Sequence, residues 1–169
     1  KCCAQAECYG ILLYANRFDE AEARIVPESE SFAARLPVLV KKAFRVSFDR
    51  LPEAGAAKRV FSLTQRDKLS ALSAVFGYDP GSSLAHHINF AVLEEPHCRT
   101  AFFRGAFLAG GSVTDPSKGY HLELATSHLS VNRELATLLR EAGFEPKSAR
   151  RGGNHMAYFK RSEDIADFL

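Results

Sequence analysis

The sequence predicts an α+β fold built from two related halves that meet through a pair of glycine-bearing helices. Three observations carry that prediction. Residues 100–112 read as a helix ending on Gly110-Gly111, and with Cys98 just ahead of that run, Ala101, Gly105 and Ala109 line up on 3.6-residue spacing as a strip of small side chains. The strip recurs earlier: Cys3, Ala6 and Gly10 match Cys98, Ala101 and Gly105 at a constant offset of 95, and Leu13 falls on Leu108. Around each strip the chain then follows the order helix, strands, helix, strands, helix. A glycine inside a helix costs about 1 kcal/mol relative to alanine, and the usual return is close approach of another backbone.

In chain order, residues 2–16 form the first glycine helix, and the short charged run 17–27 holds a strand at Ala23-Arg24-Ile25-Val26. Ser29 or Ser31 caps a helix with Phe32, Leu36, Leu39, Val40 and Phe44 on one face, and Pro37 within it predicts a kink or a late start. Residues 51–57 are a turn or loop, and 59–64 a strand. Thr64, three residues before Asp67, opens a helix lined by Leu69, Leu72 and Val75 and ended by Gly77. A linker begins at 79–83 and runs on through Glu95.

The second half is the more regular copy. After the glycine helix comes a polar turn at 112–116, then a half-buried strand over 120–126. Ser130 caps a helix with Val131, Leu135, Leu138, Leu139 and Ala142 on one face, stopped by Gly143. Residues 147–160 read as two strands joined through Gly152-Gly153-Asn154, a hairpin signal, and 162–169 as a terminal helix. The halves divide at residues 1–95 and 96–169.

With 46% hydrophobic and 25% charged residues, the chain has the composition of a globular protein with a sizeable core. A net charge of +2 identifies no partner, because nucleic-acid binding depends on how cations cluster. No apolar run approaches the ~20 residues of a membrane span, and no secretory leader pattern opens the chain. The four cysteines sit in or beside the glycine helices. Vicinal Cys2-Cys3 is a poor disulfide pair, so small interface thiols and a cytoplasmic location are expected.

The run Phe103-Arg104-Gly105-Ala106-Phe107-Leu108-Ala109-Gly110-Gly111-Ser112 resembles a degenerate LAGLIDADG motif, the dyad helix of homing endonucleases, and Cys8-Tyr9-Gly10-Ile11-Leu12-Leu13-Tyr14-Ala15-Asn16 is a weaker copy. Arg104 to Val113, followed by Asp115-Pro116 and Gly119-Tyr120-His121-Leu122-Glu123, is similar to the bacterial WhiA regulators, as is Glu7-Cys8-Tyr9-Gly10-Ile11-Leu12-Leu13. The resemblance implies a homing-endonuclease-like domain of a transcriptional regulator in sporulation or cell-division control. It also implies a helix-turn-helix domain, C-terminal in the same protein, that does most of the promoter recognition.

LAGLIDADG nucleases hold divalent metal with a carboxylate at the foot of each dyad helix, since a hard cation needs oxygen ligands. Alignment through the glycines puts Ala15 and Gly110 there, and neither can ligate a metal. No nuclease activity, metal or cofactor is therefore expected, and Asp19, Glu20 and Asp115 are assigned to turns and caps. For DNA contact, the candidates are Lys147, Arg150, Arg151, Lys160 and Arg161 in the second half, with Arg17, Arg24, Lys58, Arg59 and Arg66 in the first. Adjacent Arg150 and Arg151 on a glycine hairpin could follow a phosphate backbone; equally, a basic hairpin can be a solvated edge. Two readings follow: weak, auxiliary contact with double-stranded DNA, or a regulatory module that meets a protein or small ligand. His86-His87 with His97-Cys98 lack the spacing of paired zinc ligands. Cys98 is expected to be buried against Cys3.

Overall fold

The computed structural model describes residues 1–78 and 87–169. The elements are α1 (Cys2–Leu13), β1 (Arg17–Phe18), β2 (Ala23–Ile25), α2 (Glu30–Phe44), β3 (Phe61–Leu63), α3 (Arg66–Phe76), a 3₁₀ turn (Phe90–Leu93) and α4 (Pro96–Gly110). There follow β4 (Gly111–Val113), a second 3₁₀ turn (Pro116–Lys118), β5 (Leu122–Thr126), α5 (Leu129–Glu141), β6 (Lys147–Arg151), β7 (Asn154–Phe159) and α6 (Ser162–Phe168). Among the described residues, one compact unit gathers the elements from α1 to α4, and the other gathers those from β4 to α6 together with residues 87 and 88. The glycine helix of the second half thus packs with the first.

In the first unit α1 is the core. Every residue from Ala6 to Tyr14 is buried, so the helix has no polar face, as expected of one enclosed on all sides. Its Tyr9 ring stacks on Phe76 at 4.2 Å and meets Phe102 of α4 edge-on at 5.6 Å. The two glycine helices touch backbone to backbone. A Cβ placed on Gly10 would collide with the Phe102 carbonyl oxygen and stand 2.7 Å from the Ala106 nitrogen. One placed on Gly105 would collide with the Glu7 carbonyl oxygen and stand 3.1 Å from the Ile11 nitrogen. Phe102 and Glu7, and Ala106 and Ile11, are each 95 residues apart, so the offset read from the sequence is a two-fold relation of contacts.

The sheet of this unit runs β1-β2-β3, antiparallel, with Arg17 opposite Arg24, Arg24 opposite Ser62, and Ile25 opposite Phe61. Alternation sends Phe18, Ala23, Ile25, Phe61 and Leu63 into the core. Helix α2 starts at Glu30, where the Ser29 hydroxyl accepts from the Phe32 amide, and runs on through Pro37. The proline therefore does not delay the start.

Several local expectations change. Helix α1 stops at Leu13, three residues short of residue 16, and Asn16 instead accepts the Val26 amide through its side-chain oxygen. Val75 on α3 is 36% exposed instead of lining the core. Helix α3 is not opened by Thr64: the carboxylate of Asp49, far off in sequence, accepts the amides of Thr64 and Gln65 at 2.7 and 2.9 Å and pairs with Lys68 at 2.6 Å. Burial is the largest single influence on this carboxyl and opposes its ionisation. The bonds from Lys68, Thr64 and Gln65, with the charge of Lys68, together outweigh it and hold its pKa at about 2.

The second unit carries a four-stranded antiparallel sheet in the order β4-β5-β7-β6. Leu122, Leu124, Ala157 and Phe159 form its buried face, and α5 packs on β5 and β7 through Val131, Leu135, Leu138 and Leu139. Phe144, Phe159 and Phe168 close the end of this core with ring centroids 5.4 to 6.1 Å apart. Strand β4 replaces the start of the expected polar turn, because Gly111 to Val113 pair with Leu124 to Leu122. Helix α5 starts at Leu129 with His128 as the preceding cap, so Ser130 does not cap it; Ala142 lies past its end and is exposed. Gly152, at φ +60°, makes the hairpin turn between β6 and β7.

Gly10→Ala or Gly105→Ala forces two backbones apart and should cost about 3 kcal/mol in denaturant unfolding, the upper end of overpacking penalties, despite alanine's better helix propensity. Gly153→Ala, where an added Cβ meets nothing within 4 Å, should be near neutral. Asp49→Asn should lower stability by about 2 kcal/mol near neutral pH. Because the folded pKa lies below the ordinary 3.8, that difference should fade as pH falls from about 4 to about 2 and be gone below.

Candidate nucleic-acid interface

Each sheet has one face that is not core, and period-two geometry decides what stands on it. In the second unit the register places Lys147 opposite Tyr158, Tyr158 opposite Glu123, and Glu123 opposite Ser112. Ala149, Arg151, Asn154, Met156 and Ala125 share that outer face. Arg150 lies in the row of His155 and Thr126, on the opposite face. The two adjacent arginines therefore diverge, and they cannot follow one phosphate run together as the hairpin reading supposed.

The centre of the outer face is acidic. Glu123, 9% exposed, takes both carboxylate oxygens to the Arg151 guanidinium at 3.3 Å, and His121 Nε2 lies 3.7 Å away. The His121 ring stacks on Tyr158 at 5.4 Å, and the Lys160 ammonium sits 5.8 Å over that same Tyr158 ring. Arg161 turns away to Glu163 at 2.7 Å and Asp164 at 3.9 Å, at the start of α6. Lys147 and Arg150 have no ion pair among the described residues.

The outer face of the first sheet repeats the theme. Arg17, Arg24 and Ser62 stand in one row, and Arg50, bridged to Ser62, extends it. Glu22 is the shared carboxylate: it lies 3.1 Å from Arg17 and 3.5 Å from Arg24, and accepts the Ser62 hydroxyl at 2.9 Å. Arg17 also meets Asp19 at 2.6 Å. Arg59 lies ahead of β3 and bonds the Glu28 carbonyl and Glu30. Sequence reading missed Arg50, which belongs to no strand, and missed the two central acids. Glu123 had a signal, since it is the outward residue between Leu122 and Leu124.

At the feet of the glycine helices, Ala15 offers a methyl group and Gly110 no side chain. Two of the acids nearby in sequence are otherwise engaged. Asp19 accepts the amides of Ala21 and Glu22, and Asp115 accepts the amide and hydroxyl of Ser117. Of the histidines, His86 lies outside the described residues and His87 is 3.3 Å from Glu134. His97 and Cys98 instead meet Cys2 and Cys3, the one group of three or more metal-ligating side chains among the described residues.

The model of the WhiA LAGLIDADG-like domain family matches residues 99–169. A probable cell division protein WhiA from Ruminiclostridium cellulolyticum is 31% identical over 180 residues, covering 100% of this chain and 57% of that protein. The chain resembles the LAGLIDADG-like domain of the WhiA family. A second WhiA relative, from Alkaliphilus metalliredigens, is 25% identical over 182 residues, covering 99% of the chain and 57% of its own length. The chain thus spans just over half the length of these relatives. Among solved structures, full-length DUF199/WhiA from Thermatoga maritima superposes with TM-score 0.69 at 18% identity, over 99% of this chain and 54% of that one. The N-terminal LAGLIDADG domain of DUF199/WhiA gives 0.69 at 16%, over 99% and 79%. I-DmoI, solved in complex with DNA and Mn, gives 0.67 at 12%, over 98% and 93%. The fold is therefore the LAGLIDADG homing-endonuclease fold, as the glycine helices predicted.

Proposed function

We propose that this WhiA-like chain is a non-cleaving LAGLIDADG domain that gives a cytoplasmic transcriptional regulator weak, auxiliary contacts with double-stranded DNA. Sequence-specific recognition would fall to a helix-turn-helix domain of the same protein, in control of cell division or sporulation. The observation that carries this reading is the polar outer face of each sheet, where basic residues stand in register around one carboxylate. Strand side chains on such a face can contact phosphates and base edges in a groove, and the homing endonuclease I-DmoI, of the same fold, is solved with DNA.

The ion pairs explain why the contact would be auxiliary. Arg17, Arg59, Arg151 and Arg161 each already have a carboxylate partner, so engaging a phosphate means giving up a partner. Lys147 and Lys160 remain for first contact on that face. The absence of cleavage rests on Ala15 and Gly110, which supply no oxygen ligand where the nuclease chemistry needs two. The same ion pairs support a second reading, in which the faces meet a protein or small ligand instead of DNA.

Two measurements test the proposal. Fluorescence anisotropy on a mixed-sequence duplex should show binding at low salt with a log-log salt slope of about −2 to −4, the release of two to four phosphates' counterions. Glu123→Gln, which frees Arg151, should tighten binding roughly 3- to 10-fold, and Lys147→Glu should weaken it. No binding at low salt by parent and Glu123→Gln alike would transfer the weight to the protein-partner reading. Supercoiled plasmid incubated with the protein and magnesium should stay intact; nicking that needs the divalent ion would overturn the non-cleaving assignment.

A further inference from the structure

The first turns of α1 and α4 bring four metal-ligating side chains to one point. Cys2 and Cys3 come from α1, His97 and Cys98 from α4, and one ligand atom from each lies within 4.8 Å of the others. Cys3 Sγ is 3.1 Å and Cys98 Sγ 3.5 Å from His97 Nδ1. The cluster obeys the same 95-residue relation as the glycine contact: Cys3 corresponds to Cys98, and Cys2 to His97. Each helix therefore contributes two donors from matching positions.

We propose that this cluster binds a single zinc ion, joining the N-terminal turns of the two glycine helices. Three thiolates and one imidazole nitrogen form a recurrent four-coordinate zinc donor set, soft enough to reject magnesium and calcium. A tetrahedron with metal–ligand bonds of ~2.0–2.3 Å needs donors roughly 3.5–3.8 Å apart, close to the spacing already present. Four donors gathered this tightly enclose one ion, not an iron–sulfur cluster, whose protein ligands are spread over two or more irons. Charge also fits. Binding releases three thiol protons and leaves Zn²⁺ with three thiolates at net −1, beside two helix N-termini whose amides favour negative charge. Cys2 and His97 are exposed, which gives the ion a route in, while Cys98 is buried and anchors the site in the helix interface.

This differs from the metal chemistry of the nuclease fold, which uses carboxylates at the opposite ends of the same helices. A zinc ion here would be structural, with all four positions filled by protein. It would hold the crossing of α1 and α4 from the end where each helix begins.

The test loads the purified chain with zinc under reducing conditions, removes excess ion and counts what remains by elemental mass spectrometry. Cobalt(II) then replaces zinc as a spectroscopic probe. The expected result is one zinc per chain, a thiolate-to-cobalt charge-transfer band and the intense visible bands of a tetrahedral site. Cys2→Ser, at an exposed position that does not threaten folding, should lower zinc affinity roughly tenfold or more and cut the charge-transfer intensity by about a third. His97→Ala should also lower affinity, and Cys8→Ala, outside the cluster, should retain the ion, with circular dichroism confirming that each variant is folded. A parent chain that retains no zinc, or Cys2→Ser and His97→Ala variants that bind it as tightly as the parent, would overturn the proposal.

Discussion

The backbone contact between Gly10 and Gly105 is the constraint on which the first unit is built. Two helices can approach until one glycine position meets the other helix's carbonyl only if no Cβ intervenes, and the reciprocal pattern admits none at either site. That approach fixes where Tyr9 meets Phe76 and Phe102, and hence where α3 and α4 pack around α1. It also leaves Glu7 buried at 2% exposure with its carbonyl against Gly105. The carboxylate escapes isolation because Arg35 reaches it with two nitrogens, at 2.7 and 3.2 Å. A buried charge without such a fork would be strongly destabilising, so the ion pair is a consequence of the helix contact more than a source of stability.

The outer sheet faces show a different balance. Both set a carboxylate against arginine, Glu22 between Arg17 and Arg24 and Glu123 on Arg151, and both spend part of the cationic potential on it. Such a face keeps polar side chains ordered without a partner, and it limits how strongly a phosphate backbone can be held. That balance fits the auxiliary role proposed above, in which strong non-specific affinity would be a disadvantage.

Much of the fold was legible because its signals are local. The small-residue strip, the amphipathic faces of α2 and α5, and the Gly152 hairpin each declare themselves within a few residues. What escaped depends on contacts distant in sequence. Strand β1 is two residues long and exists because Arg17 and Phe18 pair with β2. The lead-in to helix α3 is held by Asp49 from outside its own segment, and the divergence of Arg150 and Arg151 follows from a register that only the paired strands fix. The cysteine and histidine cluster was half visible: the offset that paired Cys3 with Cys98 also pairs Cys2 with His97, but zinc spacing rules look along one segment and not across a two-fold relation.

Native-state hydrogen exchange tests most directly whether the glycine helix contact is the frame of this unit. If it is, the amides of residues 9–13 in α1 and 102–106 in α4 should be the slowest to exchange, and should open together at the free energy of global unfolding. Sub-global opening of either helix while β2 and β3 stay protected would contradict the account, and would place the organising contact elsewhere in the core.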